Sequence, residues 1–177
     1  PMTRCWNAAT RRAKRRSCGK NIGARRKTYA SAVAFYGNAS STPITNHPFS
    51  LTSRVWWDST GNGTDTIAAI RSSSASPTSQ SNLHLKHATP DLLRVLYDGD
   101  SGSGGFSPSI SSPTQDAWIF CAMTIESASV RNVFLNSTKA STTDNRGELD
   151  TIDGVFIGSD NSGNTMQGYI AEVAFWN

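Results

Sequence analysis

Six consecutive residues, Glu148-Leu149-Asp150-Thr151-Ile152-Asp153, carry three carboxylates at a spacing that could do chemistry. Paired carboxylates are standard equipment for general acid–base work. On a strand, Glu148 and Asp150 share a face because side chains alternate with period two, and Asp153 joins them only through a bulge. The flanks point to another setting. Asn145-Arg146-Gly147 before the run and Gly154 after it read as a loop feeding a following strand. A solvated acidic loop is the expectation, and no catalytic residue is assigned.

Asp98-Gly99-Asp100-Ser101-Gly102 places oxygen ligands at alternate positions, as the opening of a calcium loop does. The EF-hand pattern then needs a Glu at position twelve, where this chain has Ser109. Asp98 and Asp100 are weak metal candidates, alongside the loop acids Asp58, Asp65 and Asp160. Calcium is the one cofactor they would serve, and nothing else in the chain calls for a cofactor. His84 and His87, three apart on a strand, face opposite sides and cannot share a metal. His47 precedes Pro48 and has no partner in the sequence. Trp56 and Trp57 are adjacent, so one of them points away from the core, and Trp176 is placed similarly. Aromatic rings in the open stack on the C–H faces of sugars. Trp56, Trp57 and Trp176 are therefore candidates for a glycan site, with packing inside a covered sheet as the competing account.

Charge separates the chain into two parts. Residues 1–27 hold ten Lys/Arg and no acid: Arg4, Arg11, Arg12, Lys14, Arg15, Arg16, Lys20, Arg25, Arg26 and Lys27. Residues 28–177 hold the other seven against all thirteen Asp/Glu, a net charge of 7 − 13 = −6. Such asymmetry bears on partners rather than on fold. Residues 3–17 contain Ala and Arg without Gly or Pro, so a short helix ending at Gly19 fits there. Trp6 is the only large apolar residue in that stretch, and the arm is expected to be disordered until something outside the domain orders it. It suits an acidic protein surface, such as a capsid shell or neighbouring copies of the −6 domain in an oligomer. Nucleic acid, reached by phosphate neutralisation, is the alternative. Protein docking is favoured, because Trp6 alone is available to stack on a base.

The remaining signals exclude more than they assign. Cys5 and Cys18 could bridge within the arm, while Cys121 lies in an apolar strand as a buried thiol. No apolar run approaches the ~18 residues of a membrane span. The basic start is too long for a signal-peptide n-region, and residues 30–36 are too short and polar for its apolar core.

The chain is long enough for one domain with a sizeable core. From Tyr29 onward the pattern is β throughout. Residues 29–36, 49–57, 66–71, 82–88, 92–97, 118–125, 130–135, 154–157 and 169–176 read as strands, with roughly nine to eleven expected in all. Residues 98–113 read as a glycine-rich loop followed by a Ser/Pro loop. Strands this short and evenly spaced form a sandwich or barrel. In the last strand Tyr169, Ala171, Val173 and Phe175 share one face, and Ile170, Glu172, Ala174 and Trp176 the other. Apolar on both faces but for one carboxylate, it is expected well inside a sheet and covered on each side.

Four segments carry a family resemblance. An Ile157-Gly158 pair, a loop and Gly168-Tyr169-Ile170-Ala171-Glu172-Val173 resemble the closing signature of laminin G-like domains in the concanavalin A-like lectin and glucanase superfamily, with Ala171 where an Asp is common. Residues 49–56 resemble an early strand of those domains, and 116–122 a later one opening at Trp118. Val133-Phe134-Leu135-Asn136 resembles a third, with Ser137 in place of the turn Gly. The resemblance covers residues 30–177. It implies an all-β jelly-roll sandwich of two antiparallel sheets over residues 29–177, preceded by an extended or short-helical basic arm at residues 1–28. Laminarinase-type glucanases of this superfamily place a Glu nucleophile and a Glu acid/base on one strand around an Asp. Here the third acid is Asp153 and the flanks are loop-like, so the expectation is no enzyme. Jelly-roll domains of this type recur on phage particles. The expected role is a structural or binding module on a virion surface. A lectin-like module, extracellular or on a cell surface, is the alternative, and a glycoside hydrolase is more distant. The chain stops at Asn177 short of the helix-like tail that often follows this signature, which leaves a longer natural chain open.

Overall fold

The structure is a computed structural model and describes residues 36–38, 47–60, 63–71, 80–99, 105–149, 152, 154–160 and 163–176. The basic arm, Asp100, Asp150, Asp153, Cys5 and Cys18 lie outside the described residues. Eleven strands follow in chain order: β1 (Tyr36–Asn38), β2 (Phe49–Trp57), β3 (Thr64–Arg71), β4 (Gln80–Lys86), β5 (Leu92–Asp98), β6 (Gly105–Ser111), β7 (Trp118–Ile125), β8 (Arg131–Leu135), β9 (Thr138–Thr142), β10 (Gly154–Ile157) and β11 (Gly168–Trp176). They make two antiparallel sheets, one of six strands in the order β1-β10-β3-β4-β5-β6 and one of five in the order β11-β2-β7-β8-β9. The expected two-sheet sandwich is what the chain forms. Among the described residues no helix is long and apolar enough to cross a membrane.

Period-two alternation builds the core between the sheets. In β2, Phe49, Leu51, Val55 and Trp57 turn inward, and in β7 so do Ile119, Cys121, Met123 and Ile125. Leu83 and Leu85 of β4 and Leu93, Val95 and Tyr97 of β5 join them in the same cluster. Burial of each large side chain contributes about 1.5–3 kcal/mol. Cys121 is buried, and burial pushes its thiol pKa up.

Four readings need correction. β6 occupies part of the stretch expected to be loop. It is an edge strand, where Pro108 costs no ladder bond, and the register shifts beside it between Arg94 and Leu96. β9 shows no apolar alternation and forms because it hairpins onto β8 through Asn136 and Ser137. Asn136 takes the left-handed φ of 51° that Asn tolerates. Gly37 and Asn38, expected to end the first strand, pair with Phe156 and Val155 instead, and the rest of that expected strand lies outside the described residues.

The fourth correction concerns β11, which lies at the edge of its sheet rather than inside it, with only Val173 fully buried. Its pairing with β2 runs Tyr169↔Trp56, Ile170↔Val55 and Ala171↔Arg54, then resumes at Ala174↔Thr52 and Phe175↔Leu51. Three steps on β11 therefore match two on β2. One residue is extra, and Glu172 sits in this bulge with φ of 55°. The bulge reverses the alternation. Ile170, Val173 and Phe175 all face the core side, although strict alternation puts Ile170 opposite the other two.

Candidate functional site

The outer face of the five-stranded sheet carries the site, and register assembles it row by row. Tyr169 of β11, Trp56 of β2 and Trp118 of β7 are cross-strand partners, and so are Ala171, Arg54 and Phe120. Trp118 and Phe120 are each 40% exposed and Trp176 is 46% exposed. Trp56 meets Trp118 edge to face, with centroids 6.3 Å apart and planes at 76°, which leaves Trp118 turned to solvent. Trp176 closes one corner by donating Nε1–H to Thr52 Oγ1 at 3.5 Å. Further along the sheet Lys139 lies 5.7 Å from the centroid of the Phe134 ring. Grouped large apolar side chains in the open mark a docking surface more often than isolated ones do.

A pocket of about 190 Å³ opens on this face between Arg54, Trp118, Ala171 and Glu172. Arg54 Nη1 and Glu172 Oε2 are 4.0 Å apart, a separation too long for a hydrogen bond, and both side chains are largely in solvent. Charge attraction between them is weak at that exposure. Both groups therefore keep hydrogen-bonding capacity for a third party. Alternation from Ile170 would have sent residue 172 into the core, and the bulge turns Glu172 outward beside Arg54.

The sequence candidates are dispersed. Trp56 and Trp176 lie on the aromatic face. Trp57 is wholly buried, with Nε1 donating to Asp65 Oδ2 at 2.6 Å, so it is no glycan platform. Glu148 is exposed in the irregular segment between β9 and β10, with Oε2 2.5 Å from His47 Nε2. Asp98 ends β5 half-buried, and Asp100 is not described. Asp58 accepts from the Thr60 amide and hydroxyl, and Asp160 from the Asn164 amide and side chain. These acids cap their own turns. Among the described residues no group of three or more His, Cys, Asp or Glu could hold a metal.

The other sheet hides polar groups under its outer face. His84 is 1% exposed, with Nε2 3.8 Å from Asp160 Oδ2. Burial pushes its pKa down to about 4, with the Arg94 charge acting the same way and Asp160 opposing. The Arg94 guanidinium lies 3.4 Å from the Phe106 ring centroid, and burial lowers its pKa to about 10, so it stays charged. His87 is on the other side of the sheet, stacked on Trp57 at 4.2 Å, so the two histidines do face apart.

Sequence reasoning missed Trp118, Phe120 and Tyr169 as members of the site. The signal was available in β7, where Trp118 and Phe120 alternate with Ile119 and Cys121. A strand apolar on both faces offers its outer face to a partner unless another layer covers it.

The model of a laminin G family, described as the concanavalin A-like lectin/glucanases superfamily, matches residues 31–177. No curated protein matches the chain. Solved structures do, at identities that speak for the fold alone. The binding domain of botulinum neurotoxin serotype D matches with TM-score 0.60 and 12% identity over 82% of this chain and 38% of that one. Full-length tailspike protein 2 of an Escherichia coli O157:H7 bacteriophage matches with TM-score 0.57 and 13% identity over 80% of this chain and 21% of its own. The enzymatically active domain of that tailspike is matched as well. A heptameric SAP-like pentraxin from Limulus polyphemus matches with TM-score 0.58 and 12% identity, over 80% of this chain and 68% of that one. The chain thus spans well under two thirds of the toxin and tailspike chains.

Proposed function

The chain belongs to the concanavalin A-like lectin/glucanases superfamily, and from that premise we propose that it is a non-catalytic binding module. Its docking surface is the aromatic face of the five-stranded sheet, and its basic arm, residues 1–28, anchors it to a larger assembly, the surface of a virion. One observation carries the binding role: Trp118, Phe120 and Trp176 stand in solvent on the same face as Arg54. Burying these rings against a partner recovers about 25 cal/mol for each Å² of apolar surface removed from water. The toxin neighbour is itself a binding domain and the tailspike belongs to a phage, which supports both halves of the reading. The non-catalytic half is supported by Glu148, which lies in an irregular exposed segment facing His47.

The test mixes the full chain with purified particles of the virus that encodes it and measures what sediments with them. A full-length variant with Arg11, Arg12, Lys14, Arg15 and Arg16 replaced by Ser is expected to stay in the supernatant, and the Trp118→Ala/Phe120→Ala variant to sediment normally. Equal sedimentation of all three would overturn the anchor.

A further inference from the structure

Resting on the proposal that the aromatic face is a docking surface, we infer that its partner is a second copy of this chain. The two copies meet face to face about a two-fold axis, and Arg54 of each pairs with Glu172 of the other.

Charge selects this partner. Arg54 Nη1 and Glu172 Oε2 stand 4.0 Å apart with both side chains more than half exposed, so neither satisfies the other. A partner bringing a single charge to this spot meets a like charge beside the opposite one. The patch therefore needs a surface that carries both signs, at the same spacing and in reverse order. A second copy turned about a two-fold axis supplies that by symmetry, because residue i then meets j and j meets i. Enclosed by the surrounding rings, two crossed pairs lose less to solvent than the single exposed pair does. The rest of the domain argues the same way. Residues 28–177 carry a net −6, so most approaches of two domains are repulsive. The unburied charged residues on the five strands of this sheet are Arg54, Lys139 and Glu172, and here two copies approach without that repulsion.

Size and shape agree. At ~3.4 Å per residue and ~4.8 Å between strands, the five strands present roughly 600 Å² in projection. Two such faces exceed the ~1,000 Å² that a specific interface needs. Between Phe120 and Trp176 the sheet carries Ala174, Thr52 and Ala122 in one cross-strand row, a shallow waist that can seat a ring of the second copy. Pairing edge to edge is the other route by which sheets associate, and both edges oppose it. β11 is broken by the bulge at Glu172, with its φ of 55°, and β9 is five residues long and carries Lys139.

The experiment measures the dimer dissociation constant of the full chain by sedimentation equilibrium, each variant being first checked for an unchanged melting transition. Wild type is expected to dimerise, with the constant raised at least tenfold in Trp118→Ala/Phe120→Ala, in Arg54→Glu and in Glu172→Arg. The decisive sample is an equal mixture of the Arg54→Glu and Glu172→Arg chains. Within either chain, positions 54 and 172 then carry like charges, whereas across the two-fold each meets its opposite. The mixture is therefore expected to regain wild-type affinity, and a mixture no tighter than its components sinks the inference. The chain with Arg11, Arg12, Lys14, Arg15 and Arg16 replaced by Ser is expected to dimerise like wild type. Loss of the dimer in that chain would assign the contact to the arm and overturn the inference, as would a dimer indifferent to the loss of Trp118 and Phe120. A monomeric wild type sinks it too, and hydroxyl-radical footprinting of Trp118 in particle-bound chain then separates it from the earlier reading. Protection of Trp118 leaves the face docked on another partner, and oxidation as in the free chain overturns both.

Discussion

Trp57 donates its indole N–H to Asp65 Oδ2 at 2.6 Å with both side chains wholly buried, while its neighbour Trp56 lies on the opposite face of the same sheet. One step along a strand separates a core tryptophan from a surface one. The buried carboxylate also accepts the Gln167 amide at Oδ1, at 3.3 Å, and His87 Nε2 stands 3.3 Å from Oδ2, the oxygen that takes the Trp57 bond. Burial raises the Asp65 pKa, and the Trp57 bond, the His87 charge and the Gln167 amide each oppose the rise.

Trp57→Phe removes one donor from a carboxylate that cannot reach water. The expected cost is about 1–3 kcal/mol, the usual penalty for leaving a buried polar group short of a partner. Trp56→Phe is expected to change stability by no more than about 0.5 kcal/mol. The sign of the pH effect follows. An acid with its folded pKa raised contributes stability below its unfolded value and loses it as pH rises through the folded one. Urea denaturation of the Trp57 variant should therefore show its largest deficit toward neutral pH, and a pH-independent deficit would contradict the Asp65 bond.

The bulge in β11 makes a deletion the sharper probe. Without Glu172 the order becomes Ile170 in, Ala171 out, Val173 in, Ala174 out and Phe175 in, which restores plain alternation against β2. Deletion of Glu172 is expected to leave the domain folded and within about 1 kcal/mol of wild type, because it also removes a non-glycine residue at positive φ. Val173→Asp, one position away, buries an unpaired carboxylate and is expected to cost several kcal/mol and abolish the fold. A calorimetric melt of the deletion with the same collapse as Val173→Asp would contradict the register.

How much of this was legible in the sequence depends on whether a residue's surroundings are local. In β2 the alternation from Phe49 to Trp57 sorted the side chains into two faces, because a half-buried strand writes its period into the chain, but left open which of Trp56 and Trp57 goes inward. In β11 the same rule misplaced Ile170, because a bulge inserts a residue without changing composition. β6 and β9 were unreadable for a related reason: they form by pairing to β5 and β8, and their own Ser, Thr and Pro residues carry no period. The aromatic face was half legible. Trp56 and Trp176 were singled out from their neighbours, but bringing Trp118 and Phe120 beside Arg54 needs the β2–β7 register, which is a contact across many residues of chain.

His84 gives the domain a pH-dependent weakness. Its pKa falls from the ordinary 6.5 to about 4 because the protonated ring is penalised by burial. Protonation therefore favours the unfolded chain. The stability this histidine confers is intact above pH 6.5 and lost as pH falls toward 4. At ~1.36 kcal/mol per pH unit, the loss across that window is roughly 3 kcal/mol. Asp144 acts lower down. Burial resists its ionisation, but hydrogen bonds from Thr142 and Arg146 and the charges of Arg131 and Arg146 outweigh that and hold its pKa below the usual 3.8. Its stabilisation is lost only as pH falls through the acid range beneath. Melting temperatures of wild type and His84→Gln between pH 7.5 and 3 should show the variant nearly flat from 6.5 to 4 and both falling below. Parallel curves across the upper window would remove His84 from the account.

The arm calls for a test of charge rather than of shape. Its ten basic residues come without a single acid, while the remainder of the chain carries a net −6, so the proposed attachment to an acidic partner is expected to be electrostatic. Exposed charges are screened beyond about 8 Å at physiological ionic strength and beyond about 3 Å at 1 M salt. Retention of the full chain on purified particles should therefore decline steadily as salt rises, and the Ser-substituted arm should be released at the lowest salt tested. Nuclease distinguishes the two partner chemistries. An arm on phosphates releases counterions and loses its site when the nucleic acid is digested. An arm on an acidic protein shell is expected to stay bound after digestion, and that is the outcome the proposed virion role requires. Release by nuclease at constant salt would move the arm's partner from protein to nucleic acid. Salt-independent retention would show that charge is not what holds the chain.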